Sequence, residues 1–269
     1  MRYLAVALLA GSLLLSGPSH APGQTGIKKK RPRPEDYGKV VINTTNSDRY
    51  GLGPVQFDHW LHRTKATCRV CHVDIGFAMK AGGTGIRAED NMAGYYCGTC
   101  HNGKPFQGKV MFQSCSREFK IDELKQCERC HSFGKQVKPA NVFAEITGVF
   151  PKEQFGNGVD WVKTEASGLV KPVKHLEGVS PRASALPVQK DFVLNPQVKG
   201  MPEILFSHQK HTAWNGCQVC HPEIFIGVKK GTTKYSMVEI FDGKFCGVCH
   251  GKVAFPLMDC ERCHTQPVQ

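Results

Sequence analysis

Cys-x-x-Cys-His occurs six times in this 269-residue chain: Cys68-Cys71-His72, Cys97-Cys100-His101, Cys127-Cys130-His131, Cys217-Cys220-His221, Cys246-Cys249-His250 and Cys260-Cys263-His264. With 13 cysteines and 12 histidines in the chain, composition alone would supply roughly 0.03 copies. The pattern is that of covalent c-type haem attachment. Each cysteine can form a thioether to one haem vinyl group, and the two-residue gap sets the separation of those bonds. The following histidine then falls beneath the iron as an axial ligand. A disulfide framework would explain an even cysteine count but not the histidine after every pair. Structural zinc on Cys-x-x-Cys knuckles does not require that histidine six times out of six. The motifs therefore predict six covalently bound haem c groups.

The bulk properties place this chemistry outside the cytoplasm. Arg2, the apolar stretch Tyr3 to Leu15 and the small residues Ser16 to Ala21 read as a secretory signal peptide over 1–21. The apolar run is too short for a comfortable membrane span, so no transmembrane segment is expected after cleavage. Residues 22–38 read as a flexible basic, Pro-rich tail containing Lys28-Lys29-Lys30-Arg31. The formal charge of +12 does not require a nucleic-acid partner. Six haems would add about twelve propionate charges, offset in part by ferric iron. The expected location is exported: periplasmic, with the outer surface or the exterior as further options.

The motifs fall into two groups of three that repeat one another. Phe57-Asp58-His59-Trp60-Leu61-His62 stands five residues before Cys68, and Phe206-Ser207-His208-Gln209-Lys210-His211 stands five before Cys217. In both groups 24 residues separate the first two motifs, the second reads Cys-Gly-x-Cys-His, and the third reads Cys-Glu-Arg-Cys-His. The second and third motifs are 25 residues apart in the first group and 9 in the second, a 16-residue insertion. The expected organisation is a haem-binding unit over 39–133, an extended linker or strap over 134–202 and a second unit over 203–269. In the strap Phe143, Phe150, Phe155 and Trp161 argue against disorder, while Pro172, Pro181, Pro187 and Pro196 argue against long helices.

Phe-x-His-x-x-His ahead of three Cys-x-x-Cys-His motifs resembles the c7-type triheme cytochrome domains, relatives of the tetrahaem cytochromes c3. The resemblance covers about 39–133 and 203–265. It implies a multihaem c3/c7-like fold packed around haem, with little regular secondary structure, short α-helices and a few β-strands. The segment Cys68-Arg69-Val70-Cys71-His72-Val73-Asp74-Ile75-Gly76-Phe77 looks like the tandem members found in metal-reducing bacteria. The implied activity is electron carriage, not enzymic turnover. Its partners would be redox proteins: other cytochromes, or electron-transfer complexes of the inner or outer membrane. The alternatives are a nitrite- or hydroxylamine-type multihaem reductase with an open haem, and a subunit of an extracellular cytochrome filament.

Twelve axial positions must be filled, and His59, His62, His175, His208 and His211 are the spare histidines outside the signal region. Residues three apart on a helix share a face, so each spaced pair suits two different irons. The resemblance assigns His59 to the haem of His72, His62 to that of His101, His208 to that of His221 and His211 to that of His250. The third haems, on His131 and His264, then lack a histidine. The resemblance places the third distal ligand in the segment between the first two motifs, which lacks histidine here. Some tandem c7-type members use His–Met ligation at that haem, so the resemblance implies Met237 for His264 and Met79, ahead of Met92, for His131. Neither Met79 nor Met92 aligns with Met237, since Ala88 stands in that register. His175 reads as a solvated linker residue. Cys115, in the insertion, has no partner motif and reads as an inert thiol.

Overall fold

Two short hairpins begin the two halves and set their repeat. Strand β1 (Lys39–Ile42) pairs antiparallel with β2 (Val55–Asp58), bringing Val40 opposite Phe57. The computed structural model describes residues 32–43, 52–118, 124–131, 143–181, 190–226 and 229–265. The expected signal peptide and the Lys28 to Arg31 run lie outside them. Helix α1 (His59–Arg63) follows β2 without a gap, because Asp58 at its N-cap position is still extended. After the first motif, α2 (Ala88–Met92) leads into a tight 3₁₀ turn, Tyr96–Thr99, that carries the second. The third motif closes α3 (Leu124–His131).

The insertion in the first half folds as a hairpin of its own, β3 (Pro105–Phe106) against β4 (Lys109–Val110). Gln107 and Gly108 turn it with φ of 48° and 75°, the left-handed pair that suits a two-residue hairpin. The Gln107 side chain donates to the carbonyls of Lys65 (3.1 Å) and Lys171 (3.4 Å). This pins the insertion beside the loop that leads to Cys68.

The second half repeats the plan after an intervening segment containing α4 (Phe143–Thr147) and α5 (Trp161–Ala166). Strand β5 (Phe192–Leu194) pairs with β6 (Ile204–Phe206), Phe192 opposite Phe206. Helix α6 (His208–Asn215) carries the histidine pair. Helix α7 (Met237–Phe241) then precedes a 3₁₀ turn at Phe245–Val248, and a last turn, Cys260–Arg262, holds the third motif. Helices α2 and α7 start at Ala88 and Met237, so structural register agrees with sequence register. Among the described residues regular structure is short and sparse, and no helix is long and apolar enough to cross a membrane.

The glycine of Cys-Gly-x-Cys-His has a structural cause. A Cβ on Gly98 would sit 1.9 Å from the Asn91 carbonyl oxygen, and one on Gly247 would sit 1.8 Å from that of Ile240. Each helix therefore seats its last turn directly on the motif backbone, which no other residue permits. Gly247→Ala should lower unfolding free energy by at least about 2 kcal/mol, read from denaturant midpoints. An unchanged midpoint would show that the turn can move away from α7.

Residues 143–181 are more compact than the strap expected from the prolines. Phe150, Val159 and Val170 are buried together, with Phe143, Ile146 and Trp161 packed against them. This is the apolar cluster that the buried side chains form among the described residues, and its burial supplies the driving force for the fold of the segment. Asp160 caps α5, accepting from the Lys163 amide at 3.1 Å. The segment is tied to both halves within one compact unit spanning Pro32–Gln269. On the first side the Thr67 amide donates to Val173 (3.0 Å), the Val173 amide to Lys65 (2.9 Å), and the Ser180 hydroxyl to Asp74 (2.6 Å).

On the second side Arg262, inside the third Cys-Glu-Arg-Cys-His, pairs with Glu153, with Asp160 at 3.1 Å and with Asp259 at 2.8 Å. Asp160 is 3% exposed, so losing Arg262 leaves a buried carboxylate with Lys163 as its remaining cation. Arg262→Ala should cost about 2 kcal/mol of stability. Arg262→Lys should restore less than half, since one ammonium cannot serve three carboxylates in the guanidinium geometry.

Candidate haem-ligand sites

Each histidine pair is placed by the strand before it. Phe57 stacks on His62 with ring centroids 4.1 Å apart, and Phe206 stacks on His211 at 4.4 Å. The phenylalanine of Phe-x-His-x-x-His thus fixes the ring orientation of the second histidine. The His62 and His211 Nδ1 atoms donate to the carbonyls of Asp58 (2.9 Å) and Ser207 (2.8 Å), one turn back.

The same device recurs at the other sites. His59 Nδ1 donates to Gly38 (2.7 Å), His72 to Phe77 (2.8 Å), His131 to Gly53 (2.7 Å), His221 to Phe225 (2.6 Å), His250 to Phe255 (3.1 Å) and His264 to Pro202 (2.8 Å). Eight of the ten histidines assigned to irons therefore commit Nδ1 to a backbone carbonyl. This fixes the tautomer and leaves Nε2 as a free lone pair, the arrangement found behind metal-ligating imidazoles. His208 has no such bond, and the buried His101 Nδ1 faces the Phe112 backbone without a sound one.

The structure brings motif and non-motif histidines together in pairs. His59 and His72 have ring centroids 6.5 Å apart and planes within 8°. His62 and His101 lie 6.3 Å apart, and His211 and His250 lie 6.1 Å apart. Two imidazoles bound through one nitrogen each at about 2 Å to a shared metal have centroids about 6 Å apart. Direct ring stacking would bring them closer. The donor set and its spacing fit a haem iron between each pair. The pairing of His208 with His221 is looser. The charges of His221 and His211 add to burial in lowering the His208 pKa, but the two rings do not show the close facing of the other three pairs.

Burial sets the protonation states. It is the leading cause that lowers the His59, His101 and His250 pKa values to about 4, so these rings are neutral at neutral pH, as ligation requires. Burial also raises the thiols of Cys71, Cys97 and Cys249 to about 12. None of the thirteen cysteines is joined to another.

Two aromatic residues beyond the histidine motifs belong to these sites. Phe112 packs on His101 (4.3 Å) and Phe255 on His250 (4.2 Å). Phe112 comes from the insertion, which masked its equivalence to Phe255 in sequence. Phe112 in turn lies under the Arg129 guanidinium at 4.3 Å. The third sites differ from the first two. His131 and His264 are anchored through Gly53 and Pro202, while Met79 and Met237 are each 41% exposed. Met237 opens α7, next to the reciprocal Ser236–Glu239 cap. Met79 lies in the irregular stretch before α2, and Met92 at the end of α2. Cys115 is half-buried, with the Asn91 amide 3.9 Å from its sulfur.

A family model described as cytochrome c7 and related cytochrome c matches residues 55–132 and 204–265, together more than half of the chain. No curated protein matches the chain. Among solved structures, a c7-type three-heme cytochrome domain is 38% identical, covering 27% of this chain and 90% of its own, at a TM-score of 0.25. A dodecaheme cytochrome c is 24% identical over 84% of this chain and 74% of its own, also at 0.25. The C-terminal hexaheme fragment of a dodecaheme cytochrome is likewise 24% identical, over 84% of this chain and 96% of its own, at 0.25. The two matched stretches, each with its strand, histidine pair and haem-attachment motifs, identify this chain as a member of the cytochrome c7 family, a multihaem c-type cytochrome.

Proposed function

We propose that the chain is an exported hexahaem electron carrier built from two triheme units, over about 39–133 and 203–269. Cys68, Cys71, Cys97, Cys100, Cys127, Cys130, Cys217, Cys220, Cys246, Cys249, Cys260 and Cys263 attach six haems. Each motif histidine supplies one axial nitrogen, and His59, His62, His208 and His211 supply the opposite one at the first two sites of each unit. Met237 and Met79 complete the third sites. Each haem supplies one-electron Fe(III)/Fe(II) exchange when bound. The observation that carries the reading is the pairing of imidazoles about 6 Å apart, every ring but that of His101 held from behind by the chain. Two nitrogen ligands leave no position for a substrate, so the residues favour conduction over catalysis. His–Met ligation at the third sites would place them at higher potential than the bis-His sites, giving the chain a built-in spread. Partners are other redox proteins, in the periplasm or at the outer surface, in respiration of the metal-reducing kind.

Mass spectrometry of the exported holoprotein should show six covalent haems, and its ferric spectrum should be low-spin. A high-spin component that binds nitrite or cyanide in the unsubstituted protein would move the reading toward a reductase.

A further inference from the structure

Arg63 ends α1, one turn after His59, so the two side chains share a helix face. Its guanidinium lies between two indoles, 4.7 Å from the Trp161 ring and 5.3 Å from the Trp214 ring. One indole comes from the intervening segment and the other from α6 of the second half. The Arg63 Nη1 donates to the Val253 carbonyl at 3.2 Å. Glu165, which accepts from Trp214 Nε1 at 2.9 Å, lies near enough for its charge to favour the Arg63 cation, yet Arg63 forms no ion pair among the described residues. A cation placed this way costs stability; a guanidinium tolerates it best, being weakly hydrated and suited to aromatic faces.

The turn that Arg63 grips belongs to the second site of the other half. The amides of Lys252, Val253 and Ala254 all donate to the Cys249 carbonyl, at 3.2, 2.9 and 3.1 Å. The same turn meets the first half at two more points. The Tyr37 hydroxyl donates to Ala254 at 2.7 Å. A Cβ on Gly38, whose carbonyl anchors His59, would stand 3.3 Å from the Lys252 carbonyl oxygen. One turn is therefore bonded to the Cys249–His250 site on one side and to the supports of His59 on the other.

We propose that Arg63 is a positive charge shared by two haem sites, His59/His72 and His211/His250, and that these two sites form the electronic junction between the halves. The proposal rests on the hexahaem reading above. Reduction of either site adds one electron and removes one positive charge, with no bond made or broken. A fixed cation nearby favours the reduced form, so its removal must lower the potential of both sites.

The test is a redox titration of the holoprotein, resolved haem by haem through paramagnetic NMR. Arg63→Gln should shift the reduction equilibrium at these two haems about tenfold, or about 59 mV, downward, leaving the other four within threefold. Arg63→Lys, which keeps the charge, should hold both near their original values. No shift at either haem, a shift confined to the first half, or an equal shift at all six would overturn the proposal. A second measurement needs no variant: in partly reduced unsubstituted protein, the strongest redox coupling across the halves should join these two haems. Strongest coupling between any other cross-half pair would equally overturn it. A holoprotein with fewer than six haems would instead sink the hexahaem reading, and mass spectrometry separates the two failures.

Discussion

Replacing His62 with alanine should convert one haem from low-spin to high-spin and create one new binding position for carbon monoxide in the reduced protein. The side chain is half-buried, seated by Phe57 at 4.1 Å and directed by its Nδ1 bond to Asp58. Its ring stands 6.3 Å from that of His101. No other histidine shares that position, since His59 is turned to His72 and His175 lies exposed beside Glu177. The attachment bonds at Cys97 and Cys100 are untouched, so the haem count should stay the same. Loss of a strong axial ligand also shifts the potential of that site by far more than the tenfold step expected at Arg63. His175→Ala should leave spin state and carbon monoxide stoichiometry unchanged. If His62→Ala stays wholly low-spin, the assignment of His62 to the His101 site is wrong.

The candidate ligand framework could be proposed from sequence because its chemistry is local in the chain. Cys-x-x-Cys-His fixes attachment within five residues, and His59/His62 and His208/His211 declare themselves by a three-residue spacing that only a helix turns into a shared face. The two-fold repeat was legible for the same reason, and α2 and α7 begin in the register that the motif spacing gave. What sequence could not show depends on long-range closure. The carbonyls of Gly38, Gly53 and Pro202 that orient His59, His131 and His264 lie 21, 78 and 62 residues from their partners. Any residue offers a carbonyl, so no side-chain pattern marks these positions.

The intervening segment hid its role for a different reason. Its prolines suggested extension, but Phe150, Val159 and Val170 lie at spacings that fit neither a helical nor a strand period. They meet through turns, and the pairing of Arg262 with Glu153 and Asp160 bridges more than a hundred residues. The segment between the two matched stretches is consequently a folded cluster bonded to both, not an extended tether. That matters for conduction, because electron exchange between sites falls steeply with separation.

Substituting Met237 by histidine should give the largest fall in potential of any single change in the second unit. Met237 opens α7, where Ser236 and Glu239 cap one another reciprocally, so the backbone at this position is fixed independently of the side chain. With Met237 as the proposed ligand of the His264 site, exchanging its thioether for an imidazole would remove the group that favours Fe(II). The potential of that haem should fall by well over about 59 mV, more than tenfold in the reduction equilibrium. The weak far-red absorption of ferric Met-ligated haem should shrink in parallel, by the share that this site contributes. Met237→Ala should abolish the same share and yield a high-spin site. The first unit supplies the internal comparison, since Ala88 stands where Met237 does and the proposed ligand Met79 comes from a different part of the chain. Met79→Ala should remove the remaining far-red absorption without altering the His264 site. A protein that keeps both its far-red band and its highest potential after Met237→His would show that the third iron of the second unit takes its ligand from elsewhere.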